Sequence, residues 1–264
     1  MARVDAVANQ KGGVGKTTTA VSLGAYLAAR GRRVLLIDLD PQGNATSSLG
    51  IDKRTQTGSA YHALIEGAAL GELAIPTARE CLLLVPSTTH LAAAEVELID
   101  LPDRERRLER ALAPLRDEFD YLLIDCPPSL GLLTVNALVA ADGVLVPIQC
   151  EFLALEGLMQ LVATIDMVRR NLNARLDITG VIMTMYDQRV RLSAQVVEEV
   201  RRYFPTRLFR TLVPRSIRLT EAPSYGQAII DYDPTSRGAE AYAALTEEYL
   251  QRTANGGGEL RRAV

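Results

Sequence analysis

The chain has no tryptophan, four phenylalanines, two histidines and three cysteines among its 264 residues. Cys81, Cys126 and Cys150 are widely spaced with no C-x-x-C pair, which argues against a disulfide framework and fits a reducing compartment. His62 and His90 are far from any cysteine pair, so a zinc site is not expected. Apolar runs such as Val34 to Ile37 and Val144 to Ile148 are far shorter than the roughly 20 residues of a membrane-spanning helix. The opening MARVDAVANQ carries Asp5 and no apolar block, and no secretory signal is expected there. Lysine is the scarcest charge: of 29 basic residues only Lys11, Lys16 and Lys53 are lysines. Two of those three stand five residues apart in one loop, in a chain that otherwise prefers arginine. That loop needs ammonium groups. The net charge of −3 excludes a polybasic nucleic-acid binder, leaving only a local patch for such a role.

Short apolar runs alternate with helical patterns. Strands are expected at Val4 to Ala8, Val34 to Leu39, Cys81 to Val85, Tyr121 to Ile124, Val144 to Ile148, Ile178 to Thr184 and Thr211 to Val213. Several are apolar throughout, as strands buried on both faces of a parallel sheet should be. Helices are expected at Thr17 to Arg30, Arg104 to Leu115, Leu130 to Ala141, Leu155 to Arg170, Leu192 to Tyr203 and Gly238 to Arg252. The first ends at Gly31, a natural C-terminal cap. The alternation predicts a doubly wound, mostly parallel α/β sheet with helices on both faces. One domain is expected over residues 1–254, with a frayed tail, NGGGELRRAV, over 255–264.

The segment VANQKGGVGKTTTA follows the first strand and opens the first helix. Backbone N–H groups of a glycine-rich loop, backed by a helix N-terminus, form an anion site. Gly12, Gly13, Val14, Gly15, Lys16, Thr17 and Thr18 are the expected cradle for nucleotide phosphates. Lys16 reaches the β- and γ-phosphates and the Thr17 hydroxyl binds Mg²⁺, as in a Walker A loop. Gln10 stands where the standard motif has glycine, and Lys11 is an additional charge inside the loop. A dinucleotide fingerprint fails because G-x-G-x-x-G needs glycine at Thr18.

KGGVGKTT with the extra Lys11 resembles the deviant Walker A loop of the ParA/MinD superfamily, whose members are P-loop NTPases. DLDPQGNAT (Asp38 to Thr46), DCPPSLG (Asp125 to Gly131), EFLALEGL (Glu151 to Leu158) and PRSIRLTEAPSYGQAI (Pro214 to Ile229) resemble its ParA/Soj chromosome-partitioning branch. The resemblance implies an ATPase that uses ATP and Mg²⁺. In such a protein Lys11 crosses a nucleotide-sandwich homodimer to the partner's phosphates, doing the work that an arginine finger does elsewhere. It also implies non-specific binding of double-stranded DNA, a ParB-type centromere-binding partner, no membrane, and a cytoplasmic, nucleoid-associated protein. A MinD-like membrane-cycling ATPase is the alternative, although the glycines of the tail offer no amphipathic membrane face. A nitrogenase-iron-protein type would need paired cysteines, and a plain DNA-binding module would bind DNA indifferently to ATP.

Asp38 and Asp40 close the second strand and Asp125 the fourth of the longer runs. Strand C-termini share one edge of a parallel sheet, where ligands bind, so the three carboxylates are expected to converge on the loop. Asp125 is expected to hold Mg²⁺ through water. By resemblance Asp40 positions the attacking water, with Asp38 in the metal's shell. Cys126 is read as a small buried side chain. Pro214 and Arg215, and Met185 with them, are by resemblance at the adenine pocket.

Between Gln188 and Arg218 eight arginines face two glutamates, a local charge of +6. Such a patch suits phosphate-backbone binding without base reading. No aromatic stacking platform is apparent, and no helix-turn-helix precedes the first strand. By resemblance Arg189 and Arg218 are the leading DNA contacts, with Arg191, Arg201 and Arg202 behind them.

Overall fold

The computed structural model of the chain describes residues 1–151 and 154–255. Seven strands form one sheet: β1 (Arg3–Val7), β2 (Val34–Asp38), β3 (Ile75–Pro76), β4 (Leu82–Val85), β5 (Tyr121–Asp125), β6 (Gly143–Gln149) and β7 (Asp177–Thr184). Their order is β3-β4-β2-β5-β1-β6-β7. All pairings are parallel except β3 with β4. The helices are α1 (Lys16–Ala28), α2 (Asn44–Ser48), α3 (Leu91–Glu97), α4 (Arg107–Leu112), α5 (Leu132–Ala140), α6 (Ala154–Asn171), α7 (Arg191–Tyr203), α8 (Ile217–Glu221), α9 (Ile229–Tyr232) and α10 (Arg237–Asn255). The fold is the expected mostly parallel α/β sheet.

The strand period of two divides the apolar side chains between two cores. On β2, Leu35 and Ile37 join Leu108, Leu133, Leu158 and Val196 from α4, α5, α6 and α7. Val34 and Leu36 join Leu23, Leu27, Tyr242 and Tyr249 from α1 and α10 on the other face. Helices therefore cover both faces, and the central strands are buried throughout, which is why they read as continuous apolar runs. The α1–α10 contact also carries hydrogen bonds, Thr19 Oγ1 with the Tyr242 hydroxyl at 3.0 Å and the Tyr26 hydroxyl to the Ala239 carbonyl at 2.8 Å.

Some expectations are corrected. Thr211 to Val213 forms no strand; the chain meets the sheet there through isolated bridges, Val181 with Leu208 and Tyr186 with Pro214, and the Val213 N–H donating to the Met183 carbonyl at 2.9 Å. The cause is mostly tertiary: Glu248 of α10 accepts the backbone N–H groups of Arg210 and Thr211, and Pro214 has none to give. The helix expected over Arg104 to Leu115 shortens to α4 and continues as a 3₁₀ turn, Ala113–Asp117, around Pro114. Strand β3 was not expected, and its Pro76 is tolerated because β3 is an edge. Helices α2 and α3, too short to show a 3.6-residue period, were not expected either. Asn255, assigned to the tail, closes α10; the remainder of that expectation, residues 256–264, lies outside the described residues.

Candidate functional site

The loop from Gly12 to Thr18 connects the C-terminal end of β1 to α1, as the sequence pattern required. Gly13 and Gly15 have φ of +74° and +89°, a left-handed backbone that glycine adopts without steric cost. A Cβ built at Gly12 or Gly13 meets no atom within 4 Å, so their lack of a side chain keeps open the space above the loop. The loop is fastened from below by other strands. Asn9 Nδ2 donates to the Pro147 carbonyl at 2.7 Å, and its Oδ1 accepts the Lys11 N–H at 3.0 Å. Thr184 Oγ1, at the end of β7, donates to the Val14 carbonyl at 2.8 Å.

The two loop lysines do different things. Lys16 is 6% exposed, and its ammonium crosses the loop to donate to the Lys11 carbonyl at 3.1 Å. Burial lowers its pKa, opposed by the charge of Asp125. Lys11 forms an ion pair with Glu151, just after β6, with 42% of its side chain exposed. Thr17 and Thr18 are half-buried in the first turn of α1.

The three carboxylates stand at or just beyond neighbouring strand ends. Asp38 and Asp125 are register partners at the ends of β2 and β5, and Asp125 is also opposite Val7 of β1. Their states differ. Both Asp125 oxygens are buried without a hydrogen-bond partner, and burial, reinforced by the charge of Asp38, raises its pKa well above the carboxylate range. Asp38 is committed to the following loop: Oδ2 accepts Thr46 N–H at 2.8 Å and Thr46 Oγ1 at 2.7 Å, and Oδ1 accepts Asp40 N–H at 3.2 Å. Burial pushes Asp38 up to about 6 against those donors. Asp40 is 5% exposed; its Oδ1 accepts the Gln42 N–H at 2.9 Å and its carbonyl accepts Ser87 Oγ at 2.7 Å.

An unpartnered buried carboxylate beside a threonine hydroxyl suits a hard divalent cation. Among the described residues no three His, Cys, Asp or Glu side chains converge as a cage. An ion held here would need most of its ligands from elsewhere, as magnesium, which keeps several waters, allows. Thr17 and Asp125 are the residues that fit it, whereas the donors on Asp38 leave its oxygens less free. Cys126 is fully buried, burial pushes its thiol up, and it is inert core.

Met185, Pro214 and Arg215 are brought together at the end of β7. Tyr186 N–H donates to the Val213 carbonyl at 3.0 Å, and Arg215 N–H donates to the Tyr186 carbonyl at 3.1 Å. Met185 takes φ +53°, a left-handed conformation uncommon for its type. Arg189 and Arg218 each lie three residues beyond this pairing. Arg189 is 89% exposed and paired with Asp187 at 2.8 Å; Arg218 pairs with Glu221 at 2.9 Å and Asp233 at 3.2 Å. Arg191, Arg201 and Arg202 are exposed on α7, Arg201 against Glu198 at 2.9 Å. Arg207 is turned to Asp177 at 2.7 Å, while Arg210 is 87% exposed and 3.9 Å from Glu248. The +6 counted along the segment is thus reduced by Asp177, Asp187, Glu221, Asp233 and Glu248, which lie outside it in sequence.

Asn9, Thr46, Ser87, Glu151 and Thr184 also shape the site, and no functional role was read for them in the sequence. Thr46 sits inside DLDPQGNAT, so its motif was visible. Ser87 and Thr184 left no local signal.

Residues 2–178 match the AAA_31 family, an AAA domain. The chain is 54% identical over 250 residues to the chromosome partitioning protein ParA of Myxococcus xanthus, covering 95% of this chain and 88% of that one. It is 53% identical over 248 residues to the sporulation initiation inhibitor protein Soj of Bacillus subtilis, covering 94% and 98%. Among solved structures it resembles cobyrinic acid a,c-diamide synthase from Mycobacterium smegmatis with bound ADP and magnesium. That structure aligns with a TM-score of 0.86 at 40% identity, over 97% of both chains. With identity above half to a ParA and a Soj protein over nearly its whole length, the chain belongs to the ParA/Soj family of chromosome-partitioning ATPases.

Proposed function

We propose that the chain is an ATP-dependent DNA-segregation switch. ATP occupies the Gly12 to Thr18 loop, and two subunits close face to face over two nucleotides. The paired arginine surfaces then bind duplex DNA together, until hydrolysis separates them. The observation that carries this reading is the division of labour between the loop lysines. Lys16 is buried and turned into its own loop, while Lys11 is exposed and paired with Glu151, a contact it would exchange for the phosphates of a second molecule.

Within each subunit, Lys16 and the loop N–H groups bind the triphosphate, and Met185, Pro214 and Arg215 border the base. Thr17 and Asp125 hold Mg²⁺, which draws electron density from the phosphate oxygens when bound. Asp40, oriented by Gln42 N–H, holds the attacking water in line and accepts its hydrogen bond. Lys11 of the opposite subunit supplies positive charge where it develops in the transition state. Asp38 keeps the Asp40 loop attached to the sheet and would be near the metal's shell.

Arg189 and Arg218, aided by Arg191, Arg201 and Arg202, contact DNA phosphates. Exposed ion pairs contribute about 0–1 kcal/mol, so these arginines can exchange their carboxylate partners for phosphates. Two weak surfaces on one dimer gain avidity without any new contact, which makes DNA binding depend on ATP. The stimulating partner is a ParB-type centromere-binding protein, and the ATP form resides on the nucleoid.

Duplex-DNA co-sedimentation with ADP, ATP, and ATP plus a ParB-type protein tests this reading, with Lys11→Ala, Lys16→Ala and Asp40→Ala alongside. DNA should be retained with ATP alone and released by the partner. Lys16→Ala should lose ATP binding, Lys11→Ala should bind ATP as a monomer, and Asp40→Ala should persist as a DNA-bound dimer. Equal retention with ADP and ATP overturns it.

A further inference from the structure

Lys53 is the one lysine outside the phosphate loop, in a chain that places arginine at its other cationic positions. Its ammonium donates to the Gln42 carbonyl. Gln42 is the residue whose N–H holds Asp40 Oδ1, at 2.9 Å. The Asp40 turn is therefore gripped at successive peptide groups. Gly43 N–H closes back on the Asp40 carbonyl at 2.8 Å, Ser87 Oγ reaches the same carbonyl at 2.7 Å, and Lys53 takes the outer side.

The stem of Lys53 is fitted as closely as its head. Gly43 has φ +63°, and a Cβ built there lies 2.9 Å from Lys53 Cδ. The bare α-carbon of Gly43 is thus the surface on which the lysine chain lies. Lys53 is itself presented by a tight turn. Asp52 Oδ1 accepts the Arg54 N–H at 3.0 Å, and the Asp52 carbonyl accepts Thr55 Oγ1 at 2.9 Å. Arg54 pairs with Asp52 at 3.0 Å, so the charges flanking Lys53 satisfy each other and its ammonium is left for Gln42.

We infer that Lys53 is a positioning residue for hydrolysis: by fixing the Gln42 carbonyl it holds the neighbouring N–H, and through it the Asp40 carboxylate, at the angle needed to orient water. This inference rests on the reading of Asp40 given above. A methionine at position 53 keeps the stem and removes the donor. The carboxylate then swings with its turn, and a misplacement near 1 Å costs about a hundredfold in rate.

The test compares Lys53→Met, Lys53→Arg and Asp40→Ala by ATP turnover, ATP affinity and thermal unfolding, with Lys53→Met repeated in an Asp40→Asn background. Lys53→Met should lower kcat by about tenfold to a hundredfold, with ATP affinity and Tm unchanged. Lys53→Arg should recover most of the loss, and Lys53→Met should add nothing once Asp40 is asparagine. An inactive Asp40→Ala beside a Lys53→Met enzyme of normal kcat overturns the role of Lys53 alone. Equal losses from Lys53→Met in both backgrounds, or a fall in Tm and ATP affinity matching the fall in kcat, also overturn it. Normal turnover by Asp40→Ala overturns the reading of Asp40, and this inference with it.

Discussion

Asp38 and Asp125 stand opposite each other in register on β2 and β5, both fully buried, yet Asp38 is hydrogen-bonded to Thr46 and Asp40 while Asp125 has no partner. The asymmetry separates anchoring from binding. One carboxylate holds the loop that follows its strand. The other is left with unused acceptors on the edge that faces the phosphate loop.

Asp125→Asn should therefore stabilise the ligand-free protein while damaging the site. Asparagine remains a buried polar group of nearly the same volume, but it cannot carry the charge that burial and Asp38 oppose. Relief of about 1 kcal/mol raises Tm by roughly 2–4 °C in a chain of this size. Saturating Mg²⁺ and ATP should add about 3 kcal/mol to the unmodified protein at a hundred times Kd and much less to the variant. Thermal unfolding with and without Mg²⁺ and ATP measures both effects.

The double variant Arg189→Glu with Arg218→Glu should lose DNA retention while still dimerising with ATP. For the unmodified protein, the slope of log affinity against log salt is about −0.9 for each phosphate neutralised. Replacing both arginines by alanine instead should flatten it by about 2 for each subunit. Asp187 is held down to about 2, chiefly by its hydrogen bonds from Arg189, so it stays ionised and competes with phosphate. Asp187→Asn should therefore tighten DNA binding a few-fold at low salt. Fluorescence anisotropy across a salt series checks all three.

Gly226→Ala should be among the costlier single substitutions outside the nucleotide loop. Gly226 has φ +65°, and a Cβ there lies 2.5 Å from the α-carbon of Gly50, itself at φ +76°. Neither backbone can yield without moving the segment after α2 or the turn after α8. The left-handed conformation alone costs a non-glycine residue about 1–2 kcal/mol, and overpacking adds about 1–3 kcal/mol. A Tm fall of roughly 4 °C or more is expected. Gly67→Ala, also left-handed but with open space around its Cβ, serves as the control with the conformational cost alone.

Glu248 links α10 to the segment after α7. Burial works against its charge, but the N–H groups of Arg210 and Thr211 and the Arg252 guanidinium hold its pKa below the ordinary glutamate value. The fold therefore favours the ionised form. Its contribution is fully present above about pH 4.5, the ordinary value, and is lost as pH falls through the lowered one. Glu248→Gln should cost about 1–2 kcal/mol at pH 7. It should also flatten the dependence of stability on pH below 4.5. Urea unfolding at pH 7, 5, 4 and 3 checks both.

Much of the site was legible before the fold. The loop from Lys11 to Thr18 and the aspartates ending β2 and β5 could be read because each is a local pattern, a glycine-rich turn or a polar residue closing an apolar strand. Parallel strands then bring those ends to one edge whatever the details of packing. The short α2 and α3 could not be read, since helices of a turn or two show no period. The strand expected at Thr211 to Val213 failed because a carboxylate on α10 takes the Thr211 N–H and the Pro214 that follows has none.

By itself, then, the sequence determined the phosphate loop, the longer strands and helices that alternate along the chain, and the carboxylates that end the strands. It did so because glycine conformation and side-chain alternation act over a few residues. Only the tertiary structure decided that Asp125 is the free carboxylate and Asp38 the occupied one, that Lys11 meets Glu151, that Lys53 reaches Gln42, and that acids distant in sequence temper the arginine surface. These depend on groups supplied by separate elements, and their distances exist only once the two cores have closed on the sheet.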